Sequence, residues 1–205
     1  MVRTIVVLLA AALAAGDRQP ARASQLSLKG FSPNVQAAGV VVVDAGVDAK
    51  GAIRDVRLLK DVAPFGALLR DSVRTWTFTP AQKGGVAVAS RVMVAALFRP
   101  AMLLFPAPSA PPAFARPAGE RIPYPTAIAV PPYPANASDS VAVFVELKLD
   151  ETGAVTGAQV LGPASGFDDA AVQAARGWSF QPAVGRDGQP QATLGYVVFV
   201  FRAPG

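Results

Sequence analysis

Phe167-Asp168-Asp169-Ala170-Ala171-Val172-Gln173-Ala174-Ala175-Arg176-Gly177-Trp178-Ser179-Phe180-Gln181-Pro182 reads as a short helix followed by an aromatic pair and a stop. Two acids open it and Arg176 closes it, and both placements suit the helix dipole. Ser165 stands three residues before Asp168, the spacing of a capping box with Asp for the usual Glu. Ala171, Ala175 and Trp178 share one face, so the helix is expected to lie on a sheet through the indole at its C-terminal end. Phe180-Gln181-Pro182 ends it, because proline brings no N–H to a helix.

A shift of 102 residues lays this stretch over an earlier one, with Phe65, Arg74, Trp76, Phe78 and Pro80 matching Phe167, Arg176, Trp178, Phe180 and Pro182. The same shift places Asp48-Ala49-Lys50-Gly51 over Asp150-Glu151-Thr152-Gly153. Over 33 ungapped positions nine are identical, where chance gives about three in so Ala- and Val-rich a chain. Both tryptophans are among the nine, and one inserted residue later Phe98-Arg99 falls on Phe201-Arg202. The sequence therefore reads as two copies of one unit.

Upstream of each helix the period is two. Val141, Val143, Val145, Leu147 and Leu149 alternate with Ala142, Phe144, Glu146 and Lys148, which predicts a half-buried strand, repeated less cleanly from Val40 to Val47. Asp-x-x-Gly then makes a tight turn into a second strand, Val155 to Leu161. A last strand runs from Thr193 to Phe201, with Val86 to Phe98 as its counterpart. The expected fold class is α+β: two tandem modules, each a three-stranded antiparallel sheet with a helix packed on one face. Leu69, Val73 and Trp76 form the helix face of the first.

The expected boundaries are a signal peptide over 1–23, a first module over 24–100, a Pro-rich linker over 101–131 and a second module over 132–205. Arg3 followed by the apolar run Ile5 to Ala15 makes a helix of roughly 16 Å against the ~30 Å bilayer core, too short to span. Small residues at Ala21-Arg22-Ala23 suggest cleavage near Ala23, with Ala14 as the other candidate and a retained hydrophobic helix as the alternative. Eleven of the nineteen prolines lie between Pro100 and Pro134, a composition that favours an extended connector. Met102-Leu103-Leu104-Phe105 is the one part of it able to dock on a module.

Composition removes most chemistry. With no cysteine and no histidine, the chain has no disulfide, no thiolate and no imidazole base. Its net charge of +5 comes from basic residues scattered singly, so nucleic-acid binding is not expected; removal of 1–23 takes three arginines and one aspartate and leaves +3. Ser165 with Lys148 is the one imaginable nucleophile and base, and no motif joins them. Asp168 and Asp169 point apart as helix neighbours, Asp48 and Asp150 read as turn residues, and Trp76 and Trp178 read as core. No enzyme, cofactor or metal site is expected.

The second copy, from Pro132-Tyr133-Pro134-Ala135-Asn136-Ala137 through Asp150-x-x-Gly153 and Trp178-x-Phe180-x-Pro182 to its closing strand, resembles the C-terminal domain of TonB-family energy transducers. The resemblance covers 132–203, and more weakly 30–99. It implies a periplasmic module whose edge strand captures a short receptor peptide, the TonB box, with Tyr133, Pro134 and Ala137 near the contact. Phe31-Ser32 replaces Tyr133-Pro134 in the first copy, so capture is expected only in the second. The segment from Tyr133 to Gly153 is shorter than the family pattern, and the short apolar start departs from a transducer anchored to an inner-membrane motor.

A three-stranded sheet has two edges whose unpaired N–H and C=O groups can receive an extended peptide. The expected capture edge is the last strand, Gln191 to Phe201, with Tyr196, Val198 and Val200 as binding residues. Two functions remain open. One is a periplasmic TonB-like protein that binds an outer-membrane receptor peptide in TonB-dependent transport; the other is a structural envelope protein whose sheet edges mediate self-association.

Overall fold

The computed structural model describes residues 18–30, 37–99, 115–162, 164 and 166–203. The first half contains β1 (Arg18–Gln19), β2 (Arg22–Gln25), β3 (Gly39–Val47), β4 (Ile53–Lys60), α1 (Phe65–Val73), β5 (Thr77–Thr79), β6 (Ala81–Lys83), β7 (Val86–Val88) and β8 (Ser90–Phe98). The second contains β9 (Tyr124–Ala127), β10 (Val141–Leu149), β11 (Val155–Val160), α2 (Asp168–Arg176), β12 (Ser179–Gln181), β13 (Ala183–Val184), β14 (Pro190–Gln191) and β15 (Thr193–Phe201). The class is α+β, as the periodicities predict.

The two expected sheets are one. Six strands run in the order β11-β10-β15-β8-β3-β4, and the halves join where β15 and β8 pair in parallel from Gly195↔Met93 to Val200↔Phe98. Every other neighbour in this sheet is antiparallel. Because side chains alternate along a strand, the joined sheet presents two apolar faces, and each helix covers one. Val41, Val43 and Ala45 of β3 lie with Tyr196, Val198 and Val200 of β15 against Phe65, Leu69, Val73 and Trp76. Val40 and Val42 lie on the other face with Val143, Val145, Val197 and Phe199, against Phe167, Ala171, Ala175 and Trp178. Each core thus draws residues from both halves.

The helix faces fall where the sequence puts them, and each indole is a tie as well as a filler. Trp76 Nε1 donates to the Ser27 carbonyl at 2.8 Å, and Trp178 Nε1 to the Ala129 carbonyl at 3.0 Å. Trp76 also meets Phe144 of the other half edge-on, with ring centres 5.8 Å apart. At the hairpins, Asp48 Oδ1 and Asp150 Oδ1 each accept N–H bonds from the residue two and the residue four positions on. Gly51 and Gly153 take φ of 85° and 86°, and a Cβ on either would strike the Phe78 or Phe180 carbonyl. That close approach lets Thr77 and Ser179, the first residues of β5 and β12, bridge back to Ala52 and Ala154 of the hairpins.

Two of the expected boundaries meet described strands. The expected leader of 1–23 overlaps the fold: Ala21 is buried and β2 pairs with β5, so a cut at Ala23 would divide a strand. The candidate cut at Ala14 lies outside the described residues. The expected linker of 101–131 is folded in its later part, where β9 pairs with β12 and Ile122 and Tyr124 are buried, because these side chains fill the face beside α2. Its earlier part, with Met102 to Phe105, lies outside the described residues, as do Phe31-Ser32 and Ser165. The helix cap also differs: Asp168 Oδ1 accepts the Ala164 N–H at 2.9 Å, and the N-cap residue is Phe167, which makes no side-chain cap.

Candidate functional site: the margins of the sheet

β15 was the expected capture edge and is instead a central strand. It is paired along its length with β10 on one side and β8 on the other. Tyr196, Val198 and Val200 are 2%, 0% and 1% exposed, so none meets a partner. The physical reason is that two three-stranded sheets with open last strands satisfy each other's backbone groups and cover each other's apolar faces in one step.

Tyr133 lies beside Phe201 at the end of β15, and what stands there is the chain's own β8; Pro134 and Ala137 follow in a turn. Arg99 continues β8, its N–H donating to the Val200 carbonyl at 3.2 Å and its Nε to the Pro131 carbonyl at 3.0 Å. Its guanidinium lies 5.6 Å from the centre of the Tyr133 ring, a cation–π arrangement. Tyr133 also packs edge-on against Phe167 and Phe201, and its hydroxyl donates to the Asp139 carbonyl at 2.8 Å. The Ala137 N–H donates to the Pro134 carbonyl at 3.1 Å, closing a tight turn. Burial lowers the Arg99 pKa and raises that of Tyr133, as expected for groups packed into a seam.

The seam also carries a buried polar cluster. Tyr196 Oη donates to the Ala21 carbonyl and accepts the Ala23 N–H, both at 3.0 Å, and lies 3.4 Å from Glu146 Oε2. Glu146 is held further by Gln159 Nε2 at 2.8 Å and Arg22 Nε at 3.5 Å. Burial raises the Tyr196 pKa well above the ordinary phenol value. At the matching place in the first half, Asp44 is buried and bound by Arg57 and Arg91, and these reach on to Glu120 and Asp55. Every carboxylate in the two clusters has a cation or donor within reach, an arrangement that pins segments together. Among the described residues no group of three or more acids is placed to hold a metal. Lys148 lies on β10, and Asp168 and Asp169 open α2.

Among the described residues the margins of the sheet are β4 and β11, and they differ in chemistry. β4 reads Ile-Arg-Asp-Val-Arg-Leu-Leu-Lys, with four charges in eight residues. β11 reads Val-Thr-Gly-Ala-Gln-Val, with none. Charge on an outer strand discourages further pairing, so β4 is guarded and β11 is not. Leu161 N–H donates to the Phe144 carbonyl at 2.8 Å, and the alternation of an antiparallel ladder then turns the N–H and C=O groups of Val160 and Ala158 outward. A shallow crevice beside them is lined by Glu146, Lys148, Thr156, Gly157, Ala158 and Gln159. Sequence reasoning placed the open edge at β15, which is internal to the sheet; the outermost strand of this half is β11, whose run from Val155 to Val160 is uncharged.

Comparison with known proteins bears on the second half. Residues 129–203 match the family model described as Gram-negative bacterial TonB protein C-terminal. No curated protein and no solved structure gives a significant match.

Proposed function

We propose that the protein is a TonB-like binding protein of the Gram-negative envelope that supports TonB-dependent transport by pairing its backbone with an extended segment of an outer-membrane receptor. The observation that carries this reading is the coincidence of the family match over 129–203 with the half whose outer strand, β11, is uncharged and has no strand on its outer side among the described residues. The role is one of binding, without catalysis or cofactor. That both halves descend from one such unit is supported by the 102-residue offset, which carries β2 onto β9, β3 onto β10 and β5 onto β12.

Magnitudes choose the edge. Four or five backbone bonds at about 0.5–1.5 kcal/mol net each give a peptide a few kcal/mol before association costs. Displacing β8 from β15 would open both cores and forfeit most of the ~5–15 kcal/mol that holds a domain folded. Capture at β15 is therefore ruled out by energy, and pairing goes to β11. Export fits a leader ending at Ala14, which leaves β2 whole; N-terminal sequencing of the exported chain would find Ala15 first, and Ser24 first would refute it. Among the described residues no helix is long and apolar enough to cross a membrane.

A second reading, a structural envelope protein that associates with itself, is favoured by one observation: the halves already pair edge to edge through β8 and β15. A photo-crosslinking residue at Gln159 in the full chain, expressed in a Gram-negative envelope, separates the two. Adducts to an outer-membrane receptor from Gln159, absent from a control at Arg54, support transport. Adducts only to a second copy support self-association, and no adduct from Gln159 overturns the edge reading.

A further inference from the structure

We infer that the strand received by β11 carries an acidic side chain opposite Gly157, where Lys148 holds it. This rests on pairing at β11, proposed above, and adds the chemistry of the partner. Lys148 of β10 stands directly opposite Gly157 of β11. A Cβ at Gly157 would lie 3.3 Å from Lys148 Cδ and 3.6 Å from its Cβ and Cγ, so the lysine stem lies over the outer strand in the space a side chain would fill. Glycine at 157 thereby aims a cation at the open margin.

The ammonium has no acid partner among the described residues. Glu146, two residues earlier on the same face, is already held by Gln159, Tyr196 and Arg22. Arg22, on that side, is itself more than half exposed and adds to the positive field. Strands stand about 4.8 Å apart, so an added strand lies ~10 Å from β10, within the combined reach of a lysine and a facing carboxylate. Gly157 points its own backbone groups toward β10, so in an antiparallel addition its outer neighbour is a non-hydrogen-bonded pair, the closer of the two pair types. An acid at that position meets Lys148 at short range; a base there is repelled.

The test uses the full chain, amide-resolved NMR and two acetylated, amidated synthetic peptides, Thr-Val-Glu-Val-Thr and Thr-Val-Gln-Val-Thr. The expected result is perturbation of the Ala158 and Val160 amides, with the Glu peptide binding about two- to fivefold tighter at low salt and the preference lost in Lys148→Gln. Equal affinity of the two peptides, with the amides still perturbed, overturns the charge assignment and leaves edge pairing standing. No perturbation at millimolar peptide overturns edge pairing itself. Concentration-dependent dimerisation that protects the same amides without peptide makes a second copy the occupant and also overturns the inference. Ala158→Pro serves as the blocked margin, with far-UV circular dichroism to establish that it folds.

Discussion

Tyr196 shows how one hydroxyl can tie distant segments. Its oxygen accepts the Ala23 N–H and donates to the Ala21 carbonyl, so the start of the described chain is fastened to a strand near its end. Tyr196→Phe leaves both backbone groups short of a partner in a buried place, and the expected cost is about 1–3 kcal/mol in urea unfolding. The pH dependence follows from the raised pKa. Above the ordinary phenol value of 10.0 the unfolded chain releases the Tyr196 proton while the folded chain keeps it. The contribution is thus whole below pH 10.0 and lost as pH rises toward the folded pKa. Tyr124 and Tyr133 are shifted the same way, so Tyr196→Phe should flatten the alkaline fall in stability without abolishing it. An unchanged slope between pH 9 and 11 would contradict this placement of the hydroxyl.

At the scale of elements, the contrast between β15 and β11 makes a paired prediction. Val198 is buried in a strand with neighbours on both sides, and proline there removes a ladder bond and clashes within the core. Val198→Pro should cost about 3 kcal/mol or more and yield little folded protein. Ala158 turns its N–H outward from an outer strand, where proline is tolerated, so Ala158→Pro should unfold within roughly 1 kcal/mol of the parent. Comparable losses in both variants would mean that β11 is not a margin. The sequence reading placed the open edge at β15, and the residues there argue otherwise. Tyr196-Val197-Val198-Phe199-Val200-Phe201 is the most β-prone run in the chain, and such a run suits a strand buried on both faces better than an open edge.

At the scale of the whole molecule, the two halves of the described chain share one six-stranded sheet and both of its cores. Val41 and Val43 of β3 share a core with Val198 and Val200 of β15 beneath α1, and the reverse face is shared in the same way. Neither half can be removed without exposing apolar surface on the other. Far-UV circular dichroism and tryptophan fluorescence should therefore follow one urea transition with superimposable midpoints, in the single-tryptophan variants Trp76→Phe and Trp178→Phe as in the parent. Two separated transitions would show that the halves fold independently and that the β8–β15 seam is a loose contact. The same sharing makes the isolated segment 132–205 a poor bait for receptor capture, because β15 alone would expose Tyr196, Val198 and Val200.

Local patterning carried the elements. Alternation over Val141 to Leu149, the Asp-x-x-Gly turns, and the Leu69-Val73-Trp76 and Ala171-Ala175-Trp178 faces are each set by a few neighbouring residues, and the 102-residue offset follows from them. Beyond the two Asp-x-x-Gly hairpins, tertiary structure alone decided which strands became neighbours. Backbone N–H and C=O groups are the same at every residue, so an edge bears little mark of what will pair with it. The parallel meeting of β8 and β15, the passage of Arg22 to Gln25 across the face of the other half, and the opening left at β11 all depend on how two apolar faces cover one another in three dimensions.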